Sequence, residues 1–132
     1  MIARITIVSV LALLAQACSD ASAQDPIEIT ADLLPCASDP PAVGEPWESA
    51  PWPPGSTGAC EWFAFDGRRS YRVTHPLGRI PRTIIVYLSF DSDGRSSTIA
   101  PGDPTRIVSA DENVVEIRNG TDQDFFAKVV LE

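Results

Sequence analysis

His75 is the only histidine in this 132-residue chain, so any Ser–His–Asp chemistry must use it. Such a triad needs a serine on a sharp strand-to-helix elbow and a buried acid behind the imidazole. No Gly-x-Ser-x-Gly pattern occurs, and Gly55-Ser56-Thr57-Gly58 has the composition of a linker. Next to Pro76, His75 is expected to be a packed, hydrogen-bonded side chain. Asp91-Ser92-Asp93-Gly94 begins like a calcium loop, but such a loop needs a run of further oxygen ligands ending in a bidentate glutamate. Here Arg95 follows at once, which predicts a β-turn. Asn119-Gly120-Thr121 matches the N-glycosylation pattern, and in a bacterial protein it reads as a type I′ turn. Two thiols, Cys36 and Cys60, with one distant histidine fall short of a tetrahedral metal site. No catalytic set, metal or cofactor is expected.

The side chains better suited to recognition are two tryptophans and five arginines. Trp47 and Trp52 sit in a repeated Pro-Trp pair, Pro46-Trp47 and Pro51-Trp52. Aromatic faces held by prolines make a platform for sugars or Pro-rich peptides, although a small domain also folds such a loop back to bury its rings. Arg68, Arg69, Arg72, Arg79 and Arg82 fall in a stretch without a single Asp or Glu, a candidate site for polysaccharide anions or lipid headgroups. The preceding segment, residues 24–67, carries eight acidic side chains and no Lys or Arg. It competes for those arginines, and docking of the acidic half over the basic stretch is the internal alternative. Net charge is −8, opposite to what phosphate-backbone binding needs, so nucleic acid is excluded as a partner class.

These candidates stand behind an export signal. Arg4 precedes an apolar run, Ile5 to Ala15, of signal-core length and too short to span a bilayer. Leu14-Ala15-Gln16-Ala17-Cys18 resembles a bacterial lipobox, which implies lipidation of Cys18, with Ala15 in place of the usual leucine. Ala21-Ser22-Ala23 is an alternative A-x-A site that releases a protein starting at Gln24. The signal is therefore 1–17, or 1–23. Either way Cys36 and Cys60 remain, and in an oxidising compartment they are expected to form one disulfide.

Residues 18–60 read as a proline-rich, acidic covering segment. Eight of the twelve prolines lie between 24 and 60 and rule out a long helix or a central strand there. Only Ile27–Leu34 suits a short strand or helical turn. From Glu61 the pattern changes to short alternating runs with turn signals between them. Phe63 and Phe65 share one face. Tyr71, Val73 and His75 oppose Arg72 and Thr74. Thr83–Phe90 is apolar on both faces, as in a central strand. Val115 and Ile117 point inward, and Phe125, Ala127, Val129 and Leu131 line a last strand. Turns are predicted at Asp66-Gly67, Asp93-Gly94, Pro101–Pro104 and Asn119-Gly120.

One stretch is familiar as a whole. Val73-Thr74-His75-Pro76-Leu77-Gly78-Arg79-Ile80-Pro81, the apolar Ile84-Ile85-Val86, Asp93-Gly94, Asp111–Ile117 and the closing Phe-rich strand resemble a small β-sandwich module at the ends of phage tail-fibre proteins. The resemblance covers 71–132 and implies a structural or adhesive module without catalytic residues.

The expectation is all-β: a small antiparallel sandwich, or partly open barrel, of about seven strands at 61–132, with a Pro-rich disulfide-stapled segment before it. Functionally it is an exported, non-enzymatic envelope protein, an outer-membrane lipoprotein or a periplasmic or extracellular form. Its partner is an envelope protein or polysaccharide. The alternative is a carbohydrate or polyanion module using Trp47, Trp52 and the Arg68–Arg82 group.

Overall fold

The computed structural model describes residues 24–54 and 60–132. The signal segment, Cys18 and the Gly55–Gly58 linker lie outside the described residues. The architecture is all-β: two packed sheets, not closed into a barrel, with one 3-10 turn among the described residues, at Ala31–Leu33.

All seven expected strands form. They are β3 (Phe63–Phe65), β4 (Ser70–Thr74), β5 (Ile84–Ser89), β6 (Thr98–Ile99), β7 (Arg106–Ala110), β8 (Val114–Arg118) and β9 (Phe125–Leu131). The covering segment adds two more, β1 (Ile27–Ile29) and β2 (Trp47–Glu48). Each starts immediately after a proline, Pro26 or Pro46, and stays short enough to need no donor from it.

One sheet runs β1-β4-β8-β7, with β1 parallel to β4 and the other pairs antiparallel. The second runs β2-β9-β5-β6, and β3 also pairs with β9. β2 faces Val130 and Leu131 while β3 faces Phe125–Ala127, so two short strands tile one edge of β9. Ser49 joins them to it: its N–H donates to Val129 O and its hydroxyl accepts from Val129 N, both at 2.9 Å.

Alternation fills the space between the sheets. Tyr71, Val73, Val115 and Ile117 from one side meet Phe65, Val86, Leu88, Ala127, Val129 and Leu131 from the other, all essentially buried. Phe65 and Tyr71 pack with ring centroids 4.9 Å apart. The Tyr71 hydroxyl still finds a partner, accepting from the Asp66 N–H at 2.7 Å. The covering segment extends this core with Ile29, Leu34 and Trp47. Cys36 and Cys60 are joined, with Cα atoms 5.6 Å apart.

Two of the expected hairpins are corners instead. Asp66-Gly67 links β3 to β4, which belong to different sheets, and Asn119-Gly120 likewise carries the chain from β8 to β9. At the first, the left-handed residue is Arg68, with φ 60°. At the second neither residue has positive φ, so it is not a type I′ turn. A Cβ on Gly67 would come within 2.7 Å of the Asp122 backbone, and one on Gly120 within 2.9 Å of Asp103 O. Glycine is required at both because Gly67 passes against the backbone of the β8–β9 corner and Gly120 against that of the β6–β7 turn. Asp93-Gly94 does turn a true hairpin, β5 to β6, with Gly94 at φ 78°.

Candidate functional site

The five arginines clustered in sequence are separated in space. β4 lies between Arg68-Arg69 at its start and Arg79 and Arg82 in the connection after it, a strand of five residues or about 17 Å. Arg68 binds across the corner: its Nε and Nη2 donate to the Asp122 carboxylate at 2.7 and 3.1 Å, and Nη1 donates to Gly120 O. It is a corner staple, and Asp122 is correspondingly held below the usual carboxylate range. Arg69 has a buried Nε without a hydrogen-bond partner. Arg72 stands on the outer face of its sheet, 3.4 Å from Glu28 on the adjoining β1. This is the expected docking of the acidic segment on the arginines, seen at this one position among the described residues. Arg79 and Arg82 form no ion pair among the described residues and line a common hollow with Val43, Gly44 and Ile80.

The tryptophans also part company. Trp47 is 3% exposed, paired with Leu131 across β2–β9 and sunk in the core, so it offers no open platform. Trp52 is 54% exposed and lies on the outer face of the second sheet. Its ring packs at 5.3 Å on Tyr87, and Trp62, itself buried, meets Tyr87 edge-on at 6.5 Å from the other side. The apolar outer positions of Thr83–Phe90 are explained by this cover. Gly94 is needed beside it, since any Cβ there would collide with the Trp62 indole.

Beneath Trp52 sits a residue that the sequence reading passed over. Lys128 is the only lysine in the chain, and its side chain is 1% exposed. Its Nζ lies 5.2 Å from the Trp52 ring centroid, 5.7 Å from that of Tyr87 and 3.4 Å from Glu48 Oε1. The ion pair lacks a well-formed hydrogen bond. Burial pushes the ammonium pKa down, and Glu48 offsets part of that. The signal was present in the alternation of the last strand: Phe126, Lys128 and Val130 share the outward register, and a lysine between two apolar residues on that face implies a covered sheet.

His75 is structural. It is 3% exposed, with Nε2 at 3.2 Å from Asp111 O and Nδ1 accepting from Leu77 N at 3.4 Å. Both ring nitrogens are therefore engaged by a neutral imidazole, and burial pushes its pKa down. The unfolded chain then takes up the proton first, so this group's stabilisation is complete above about pH 6.5 and is lost as pH falls below it. Urea midpoints should drop between pH 7 and 5 in the native protein and much less in His75→Asn. Equal slopes would show that other groups govern this range.

The remaining motifs resolve into structure. Asp93 caps its own turn, accepting from Arg95 N at 3.1 Å and from the Arg95 guanidinium, so the Asp91–Gly94 stretch is a β-turn with its carboxylate occupied. Asn119 is fully buried and uses its whole amide: Nδ2 donates to Phe65 O and Gln123 O, and Oδ1 accepts from Thr121 N and Oγ1. A glycan on that nitrogen is incompatible with this corner. Asn119→Ala strands several of these groups and is expected to cost about 2 kcal/mol in chemical denaturation. A change within error of zero would mean that water replaces the amide.

With this geometry in view, comparison with known proteins finds no matching family model, no matching curated protein and no matching solved structure.

Proposed function

We propose that this chain is an exported, non-enzymatic binding module of the bacterial cell envelope, held there by a lipid on Cys18 or released with Gln24 as its first residue. The Cys36–Cys60 disulfide carries the reading, because such a bond persists in oxidising compartments and here closes a loop of the covering segment just ahead of β3. The engagement of His75 in the fold and the burial of Lys128 support a binding rather than a catalytic role. The expected partner is an envelope protein or polysaccharide.

Thiol alkylation and N-terminal mass spectrometry on fractionated cells test the assignment. The expected result is an oxidised pair in the envelope or medium, starting at acylated Cys18 or at Gln24. Free thiols in a cytosolic fraction overturn it. Crosslinking in intact cells then tests the partner, and no reproducible adduct would count against the binding role.

A carbohydrate-binding reading is favoured by one observation, the half-exposed Trp52 ring packed at a 34° tilt against Tyr87. Trp47 no longer belongs to it. Titration with envelope polysaccharides should perturb tryptophan fluorescence in the native protein and not in Trp52→Ala, and silence in both removes the reading.

A further inference from the structure

Two hollows lie along one seam between the covering segment and the β4–β5 connection. The first, of about 330 Å³, is lined by Leu34, Ala37, Asp39 and Trp47 of the covering segment and by His75 and Pro76 of the connection. The second, of about 420 Å³, is walled by Val43 and Gly44 and by Arg79, Ile80 and Arg82, with Glu132 at its side. The same two stretches, 37–44 and 74–83, therefore supply walls to both.

Their chemistry differs. The first hollow is mostly carbon. The second presents two guanidinium groups that no carboxylate holds among the described residues. Elsewhere among the described residues Arg68, Arg72, Arg95 and Arg106 each keep an acidic partner, and Arg69 and Arg118, which form no ion pair, do not line this hollow. Two arginines without an ion pair line one concavity against a single acidic side chain, Glu132, and in a molecule of charge −8 that local excess of positive charge is complementary to an anion from outside. The rim around them is apolar, with Val43 99% and Ile80 58% exposed.

The walls are held in place. Arg82 N and Thr83 N both donate to Glu132 O, Glu132 N returns a bond to Thr83 O, and Pro81 is buried between the two arginines. His75 fixes the start of the connection through Asp111 and Leu77. Such an arrangement limits the ordering cost of binding.

We infer that this seam binds an anionic amphiphile, with a carboxylate or phosphate head between Arg79 and Arg82 and a hydrocarbon chain running past Val43 and Ile80 toward the Leu34–Trp47 hollow. The inference rests on the binding-module reading and gives it a ligand class. A free fatty carboxylate and an anionic phospholipid share this chemistry.

The test is a chemical-shift titration of the oxidised mature protein with sodium laurate below its micelle concentration. The Trp47 indole N–H and the Arg79 and Arg82 Nε–H signals are expected to move together. Arg79→Gln with Arg82→Gln removes no internal ion pair and should weaken binding about tenfold or more, and dodecanol should bind correspondingly less well than laurate. Phosphatidylglycerol vesicles that compete where phosphatidylcholine vesicles do not would identify a bilayer lipid as the source; competition by neither points to the free carboxylate. The inference is overturned if laurate moves none of these signals, if the double variant or dodecanol binds as well as wild type with laurate, or if inorganic phosphate alone matches laurate. An envelope partner captured despite such a failure leaves the binding module standing without this ligand.

Discussion

Replacing Cys36 and Cys60 by serine is expected to lower the free energy of unfolding by about 3.5 kcal/mol and the melting temperature by about 10–15 °C. The cysteines are separated by 24 positions, and closing a loop of that length removes conformational freedom from the unfolded chain. What the bond ties is weakly self-sufficient. Inside the loop, β2 has two ladder residues, and its hold on β9 is completed by Ser49. Trp47 supplies the main apolar burial of that stretch, while Trp52 lies on the far face. Differential scanning calorimetry of the oxidised and serine forms measures the loss. Amine acylation followed by mass spectrometry adds a local readout, because Lys128 is the sole lysine and reacts only when Trp52 lifts. The serine variant should acylate at Lys128 faster than wild type under native conditions. A loss below about 1 kcal/mol would show that Ile29, Leu34 and Trp47 hold the segment without the staple.

Strands were legible where side-chain alternation is strict. Tyr71-Arg72-Val73 and Val115-Glu116-Ile117 declare an inside and an outside, and one face of each is buried as the pattern demands. Turn chemistry was less informative, since Asp-Gly and Asn-Gly specify a local reversal but not whether the next strand joins the same sheet. At Asn119 the deciding feature is a buried amide satisfied by Phe65 of the distant β3 and by Gln123 further along the corner, which no dipeptide encodes. The arginine group misled for a related reason: closeness along the chain is not closeness in space once a strand of five residues runs through it. In the covering segment Ile27–Leu34 supplies the short strand and helical turn its pattern allows, whereas β2 is hidden because the gap after Pro46 leaves room for only two ladder residues. Trp47 and Trp52 look alike in sequence. Strand pairing drives one into the core and leaves the other on the opposite face of the same sheet.

That opposite face is where the second large effect is expected. Lys128 brings an ammonium into a setting with two aromatic rings and one imperfectly bonded carboxylate, and removing charges from water costs more than such a pair usually returns. Lys128→Met keeps the length, suits a site between Trp52 and Tyr87, and should raise stability by about 1–2 kcal/mol. Glu48→Gln leaves the cation without its counter-charge. A fully buried pair would lose about 3–5 kcal/mol on such a change, but the Glu48 side chain is 31% exposed, so the expected loss is about 2 kcal/mol. The double variant should behave like Lys128→Met alone, because the carboxylate matters only while the ammonium is there.

The pH dependence gives an independent check. With the folded-state pKa of Lys128 lowered, the unfolded chain binds the proton more tightly, so this group's penalty shrinks as pH rises toward 10.5. Tyr71 works in the other direction: burial raises its pKa, and its contribution is lost as pH climbs past 10. The difference between wild type and Lys128→Met isolates the lysine and should narrow as pH rises toward 10.5 in urea titrations. If Lys128→Met is instead the less stable protein at neutral pH, the attraction of the cation to the two rings outweighs its desolvation. The cage is then a stabilising clamp on Trp52 rather than a cost borne by the fold.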